Sequence, residues 1–132
     1  MNYTSIEQSK KLLELGLSPE SADICYQAVT RYSDPADGYY DSTIKRSSLD
    51  MGYEDDIPCW SVAALRNLIP VGIKMNDETV LFKNHNRIDK SWVYYFITES
   101  DNVAVQFTGS DLNAAYEMIV WLLENDYIEK GE

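Results

Sequence analysis

One histidine, two cysteines and no run of three basic residues are all that this 132-residue chain offers to several common chemistries, and each shortage excludes something. A single His85 and two cysteines far apart, Cys25 and Cys59, give no zinc spacing. The sequence has no phosphate-cradling G-x-x-x-x-G-K, no G-x-S-x-G and no H-E-x-x-H, so phosphoryl transfer on a P-loop, a nucleophile elbow and zincin chemistry have no carrier. Long apolar runs are also missing. The stretch "MIVWLL" at 118–123 is far short of the roughly 20 residues that span a bilayer. Without a basic n-region followed by an apolar segment at its start, the chain is expected to be cytosolic, with both cysteines reduced.

What the sequence has in excess is acid. The formal charge is −11, from 22 acidic and 11 basic residues. Residues 1–56 hold 11 acidic and 5 basic side chains, residues 57–98 hold 3 and 5, and residues 99–132 hold 8 and 1, so the acid sits at the two ends and the middle is mildly basic. Binding a nucleic-acid backbone releases counterions only to a cationic surface, so direct nucleic-acid binding is not expected. A basic protein partner suits the charge better. Ten tyrosines and an apolar content of 45% provide material for one hydrophobic core, and the length suits a single domain over 1–132.

Local signals place the elements. Ser5 with Gln8 three residues on is a capping box, and Gly16 supplies the left-handed residue that ends the helix. Ser18 with Pro19 restarts a short second helix through about Cys25. The β-branched and aromatic runs "CYQAVTRY" and "YYDSTIKR" flank the turn residues "SDPADG" and predict a hairpin, followed by an acidic loop, "SSLDMGYEDD". In "DDIPCWS", Ser61 is the N-cap of a helix from Val62 to about Leu68, with Trp60 placed to staple onto Leu65 and Pro70 closing the far end.

Residues 72–108 read as a meander. "GIKM" and "TVLFKN" are joined at Asn76-Asp77-Glu78, "KNHNRID" is an exposed loop, and "SWVYYFIT" and "VAVQFT" are joined by "ESDN". "WVYYFI", apolar on both faces, fits a central strand, and the alternation of Val103, Val105 and Phe107 with polar or small neighbours fits a half-buried one. Leu112, Ala115, Ile119, Leu122 and Leu123 recur at helical spacing in a final helix that Met118 and Trp121 widen beyond one stripe. The expected fold class is α+β: an antiparallel sheet of about four to six strands, N-terminal helices, a short central helix and a C-terminal helix packed on the sheet.

Four candidate sites follow. Cys59 could be a nucleophile with His85 as base, but Asp55 and Asp56 oppose thiolate formation, and a small buried hydrophobe is the plainer account. Asp34, Asp37 and Asp41 lack the register of a calcium loop and read as turn residues. No catalytic, cofactor or metal residue is therefore nominated. For protein binding the candidates are Asp34, Asp37, Tyr39, Tyr40, Asp41, Tyr53, Glu54, Asp55 and Asp56, aromatic anchors among steering charges. Met118 and Trp121 are candidates for contact in a homodimer.

The blocks "LLELGLSPESADICY", "DDIPCWSVAALRNLIP" and "AAYEMIVWLLENDYI" resemble, in this order and across nearly the whole chain, a family of short uncharacterised proteins from gut Bacteroidales, often associated with prophage or other mobile elements. In that family the position of Cys59 is often alanine. The resemblance implies no activity and no catalytic residue; it implies a bacterial cytosolic setting and an accessory role. The expected function is a non-enzymatic acidic protein-binding accessory, in one form a decoy that presents carboxylates in place of DNA phosphates. A small-ligand protein or enzyme with a helix–sheet pocket, and a structural homodimer, are the alternatives.

Overall fold

A computed structural model describes residues 3–28, 39–45 and 57–128, with backbone alone for 27–28 and 39–45. Helix α1 (Ile6–Glu14) starts as its sequence dictates: Ser5 Oγ accepts from the Gln8 amide at 3.1 Å, and Gln8 Oε1 accepts from the Ser5 amide at 2.9 Å. Gly16 ends it at φ 101°, where Gly16 and Leu17 amides return to Leu13 and Leu12 carbonyls. The second helix expected through Cys25 is a single 3-10 turn, Pro19–Ser21. Beyond it the backbone becomes extended, because Ile24 pairs on both sides, with Lys45 and with Cys59.

That pairing builds a three-stranded antiparallel sheet from β1 (Ile24–Ala28), β2 (Tyr39–Lys45) and β3 (Ile57–Cys59), in the order β2-β1-β3. The β1–β2 hairpin is the one expected from the sequence. Strand β3 is not: "IPC" is a short strand, and the helix entry follows only after it. Helix α2 (Val62–Leu68) begins at Ser61, whose Oγ accepts from the Ala64 amide at 3.1 Å. Trp60 and Leu65, both fully buried, lie in one apolar cluster, as the staple requires.

A second, four-stranded antiparallel sheet runs in chain order: β4 (Gly72–Met75), β5 (Glu78–Asn86), β6 (Trp92–Ile97) and β7 (Val103–Gly109). Asn76 and Asp77 form the β4–β5 turn at φ 52° and 65°, the pair of positive values that a two-residue primed turn needs; Glu78 already belongs to β5. "KNHN" is not a loop but the end of β5, where Asn84, His85 and Asn86 pair with Tyr94, Val93 and Trp92. The expected α+β architecture is present, divided between two sheets rather than gathered in one.

Helix α3 (Asp111–Glu124) follows β7 with only Ser110 between them. Gly109, at φ 147°, makes the change of direction, and Ser110 caps the helix through the Asn113 amide at 3.1 Å. The helix lies across β6 and β7 with α2 along one flank. Its Leu112, Ala115, Met118, Ile119, Leu122 and Leu123 join Val80, Tyr94 and Phe96 of the sheet, and Leu12, Trp60 and Leu65, in the main core. Among the described residues no helix is long and apolar enough to cross a membrane.

Candidate functional site

Three polar or aromatic assemblies stand out. The first surrounds Cys59. The Thr4 Oγ1 lies 2.8 Å from Ser9 Oγ and accepts from the Trp60 amide at 3.0 Å, while the Tyr26 hydroxyl donates to the Thr4 carbonyl at 2.9 Å. The Trp60 indole donates to Ser21 Oγ at 2.9 Å, and Ser61 donates its amide and hydroxyl to the Asp23 carboxylate. Every group here is spent on joining α1, β1 and the start of α2. Cys59, fully buried, has its thiol pushed up to about 12, first by burial and then by Cys25 and Asp23. A thiol so placed is not a nucleophile at neutral pH. His85 is exposed on β5 of the other sheet, edge-on to the Tyr95 ring at 5.7 Å, so the fold does not assemble the dyad.

The second assembly joins α2 to the first turn of α3. Arg66 Nη2 reaches both Asp111 carboxylate oxygens at 2.8 and 2.7 Å, and Arg66 Nε donates to the Tyr94 hydroxyl at 2.6 Å. That hydroxyl donates to Asp111 Oδ1 at 2.5 Å, and the Arg66 guanidinium lies over the Trp92 ring, 5.0 Å from its centroid. Burial, followed by the bond to Asp111, pushes the Tyr94 phenol above its ordinary value and keeps it protonated. Asp111 also meets the positive end of α3. With its charges matched and the Arg66 and Tyr94 donors directed at acceptor oxygens within it, the cluster is a clasp between elements.

The third assembly faces outward. Along α3, a groove of about 370 Å³ is lined by Phe107 of β7 and by Tyr116, Glu117, Val120, Trp121 and Glu124 of the helix. Trp121 is its best-held side chain: Tyr127 stacks on it at 5.3 Å, and Phe96 and Phe107 lie 6.2 and 6.4 Å away. Tyr127 is brought there by the end of α3, where its amide returns to the Leu122 carbonyl at 2.8 Å and Asp126 adopts φ 60°. Glu117 and Glu124 stand exposed at its rim. The Tyr116 phenol is pushed up by burial and then by the charges of Glu117 and Glu124, as expected where both carboxylates look into one place. An aromatic floor with carboxylates on its rim suits a cationic side chain.

Of the sequence candidates, Asp34, Asp37, Tyr53, Glu54, Asp55 and Asp56 lie outside the described residues. Tyr39, Tyr40 and Asp41 open strand β2, where Tyr39 pairs with Ala28; their side chains also lie outside the description. Met118 points into the core, fully buried, and offers nothing to a second copy, whereas Trp121 reaches the surface through the groove. Phe107, Tyr116, Glu117 and Glu124 were not singled out by sequence. Their signal was present in the seven-residue interval between Glu117 and Glu124, two helical turns on one face, with Val120 and Trp121 between. Among the described residues no group of three metal-ligating side chains comes together. Comparison of the chain with protein-family models, curated proteins and solved structures finds no match.

Proposed function

We propose that this protein is a non-enzymatic, acidic protein-binding accessory of a bacterial mobile element, acting in the cytoplasm on a basic protein partner. The observation that supports it most is the groove beside α3, where Trp121, Tyr116 and Phe107 form an aromatic floor under Glu117 and Glu124. Aromatic anchors inside a charged rim are the composition of protein-binding surfaces, and the net charge of −11 steers a basic partner towards them. The resemblance to the Bacteroidales family supports the setting. A decoy that offers carboxylates in place of DNA phosphates is one form of the same reading.

The test is affinity capture from the native host on the full chain, at low and at high salt. The proteins retained at low salt are expected to be predominantly basic and to be released at high salt, because exposed charge attraction is screened. Neutral or acidic partners, or capture indifferent to salt, would overturn the proposal.

A further inference from the structure

We infer that the partner binds by strand addition: an extended segment of alternating apolar and basic residues pairs with the edge of β7 that is unpaired among the described residues, and lays its basic side chains into the α3 groove. The inference rests on the reading of a basic protein partner.

The edges of the two sheets carry the argument. A sheet edge presents unpaired N–H and C=O groups, and proteins guard it with charge, proline or brevity. Strand β2 carries Asp41 and Lys45, β3 is three residues long and contains Pro58, and β4 is four residues long and carries Lys74. Strand β7, "VAVQFTG", is seven residues long and has neither charge nor proline. Among the described residues it pairs with β6 alone. The one irregularity in that pairing lies near Val103, so Val105 to Gly109 keep a regular register and offer a straight template.

What lies next to this edge decides the occupant. A strand added beside β7 has side chains that alternate between the two faces of the sheet. On the face covered by α3 they meet Tyr116, Val120 and Trp121, with Glu117 and Glu124 at the rim. On that face every second residue is a Lys or Arg, its aliphatic stem along Trp121 and its charged head at Glu117 and Glu124, while the apolar residues between lie against the opposite face of the sheet. A second copy fits less well, because each copy brings a net charge of −11.

The experiment titrates the full chain with an end-capped octapeptide of alternating valine and lysine, and with two versions N-methylated on all valines or on all lysines. In an added strand only alternate amides face β7, so one methylated version is expected to lose binding by at least about tenfold while the other keeps it. The E117Q/E124Q double variant, whose changes are on the surface and leave the fold alone, is expected to weaken the unmodified peptide about tenfold at low salt. Hydrogen exchange at the β7 amides is expected to slow on binding. If the unmodified peptide binds and both methylated versions bind equally well, strand addition is wrong while the reading of an acidic binding protein stands. If the peptide and basic host proteins both fail to bind, that reading falls as well. Sedimentation showing a dimer that the peptide cannot dissociate, with β7 amides already protected, would assign the edge to a second copy and overturn the inference.

Discussion

The two sheets are stabilised by different means. In the three-stranded sheet the buried cluster among the described residues is small, Tyr26, Ile57 and Cys59, and around it Thr4, Ser9, Trp60, Ser21 and Asp23 are joined by directed hydrogen bonds. In the four-stranded sheet the covered face is almost wholly apolar and packs on α3. Apolar stabilisation scales with area and is sensitive to lost volume. A buried hydroxyl contributes through geometry, and removing it strands its partners without changing volume at all. One sheet is therefore vulnerable to cavities and the other to isosteric loss of a single oxygen.

The comparison is tested hardest in the apolar core. Leu122→Ala empties a fully buried site on α3, and chemical denaturation is expected to show a loss of about 3 kcal/mol. A loss below about 1 kcal/mol would mean that α3 relaxes onto the sheet and that the core is not close-packed. Next comes Thr4→Val, which keeps the shape but leaves the Trp60 amide and Ser9 hydroxyl without their partner. It is expected to cost about 2 kcal/mol, whereas Thr108→Val on the exposed side of β7 stays within about 0.5 kcal/mol. Equal effects at the two positions would abolish the distinction between the sheets.

The smallest effect sharpens the comparison through pH. The Cys59 thiol is raised from its ordinary 9.0 to about 12 in the folded chain. A raised folded value means that the native state holds the proton longer than the unfolded one. Its contribution is complete below pH 9.0 and is lost as pH rises from there towards about 12. At pH 10 the difference amounts to about 1 kcal/mol. Stability of the native chain is therefore expected to fall more steeply between pH 8.5 and 10.5 than that of Cys59→Ala, the two differing in slope by about this amount. Parallel curves would mean that solvent reaches the thiol and that the small cluster is open.

The four-stranded sheet was legible in the sequence because its signals are local. Asn76-Asp77 tolerates the positive φ of a primed turn, the alternation in β7 points inward at Val105 and Phe107, and β6 sits centrally as its two apolar faces require. Helix starts at Ser5 and Ser61 were equally readable, since each carries an oxygen to the amide that needs it. Strand β3 was hidden because its three residues include a proline and gain their identity only from β1, far away in sequence. The length of β5 was underestimated because "KNHN" is polar on both faces, although pairing with β6 continues past the end of the core. The end of α3 was unmarked for a related reason: the left-handed position that Gly16 announces for α1 is occupied by Asp126. As for the candidate site, Trp121 was visible as a widening of the apolar arc, but only the fold places Phe107 opposite it.

The join between β7 and α3 has a mechanical meaning. One residue, Ser110, separates the last strand residue from the first helical one, so β7 and α3 are joined by a connection with almost no slack. For the strand addition proposed above, the cost of taking up an ordered, extended shape would then fall mainly on the incoming segment, and the complex is expected to form at a rate set by how often that segment straightens rather than by a hinge between β7 and α3.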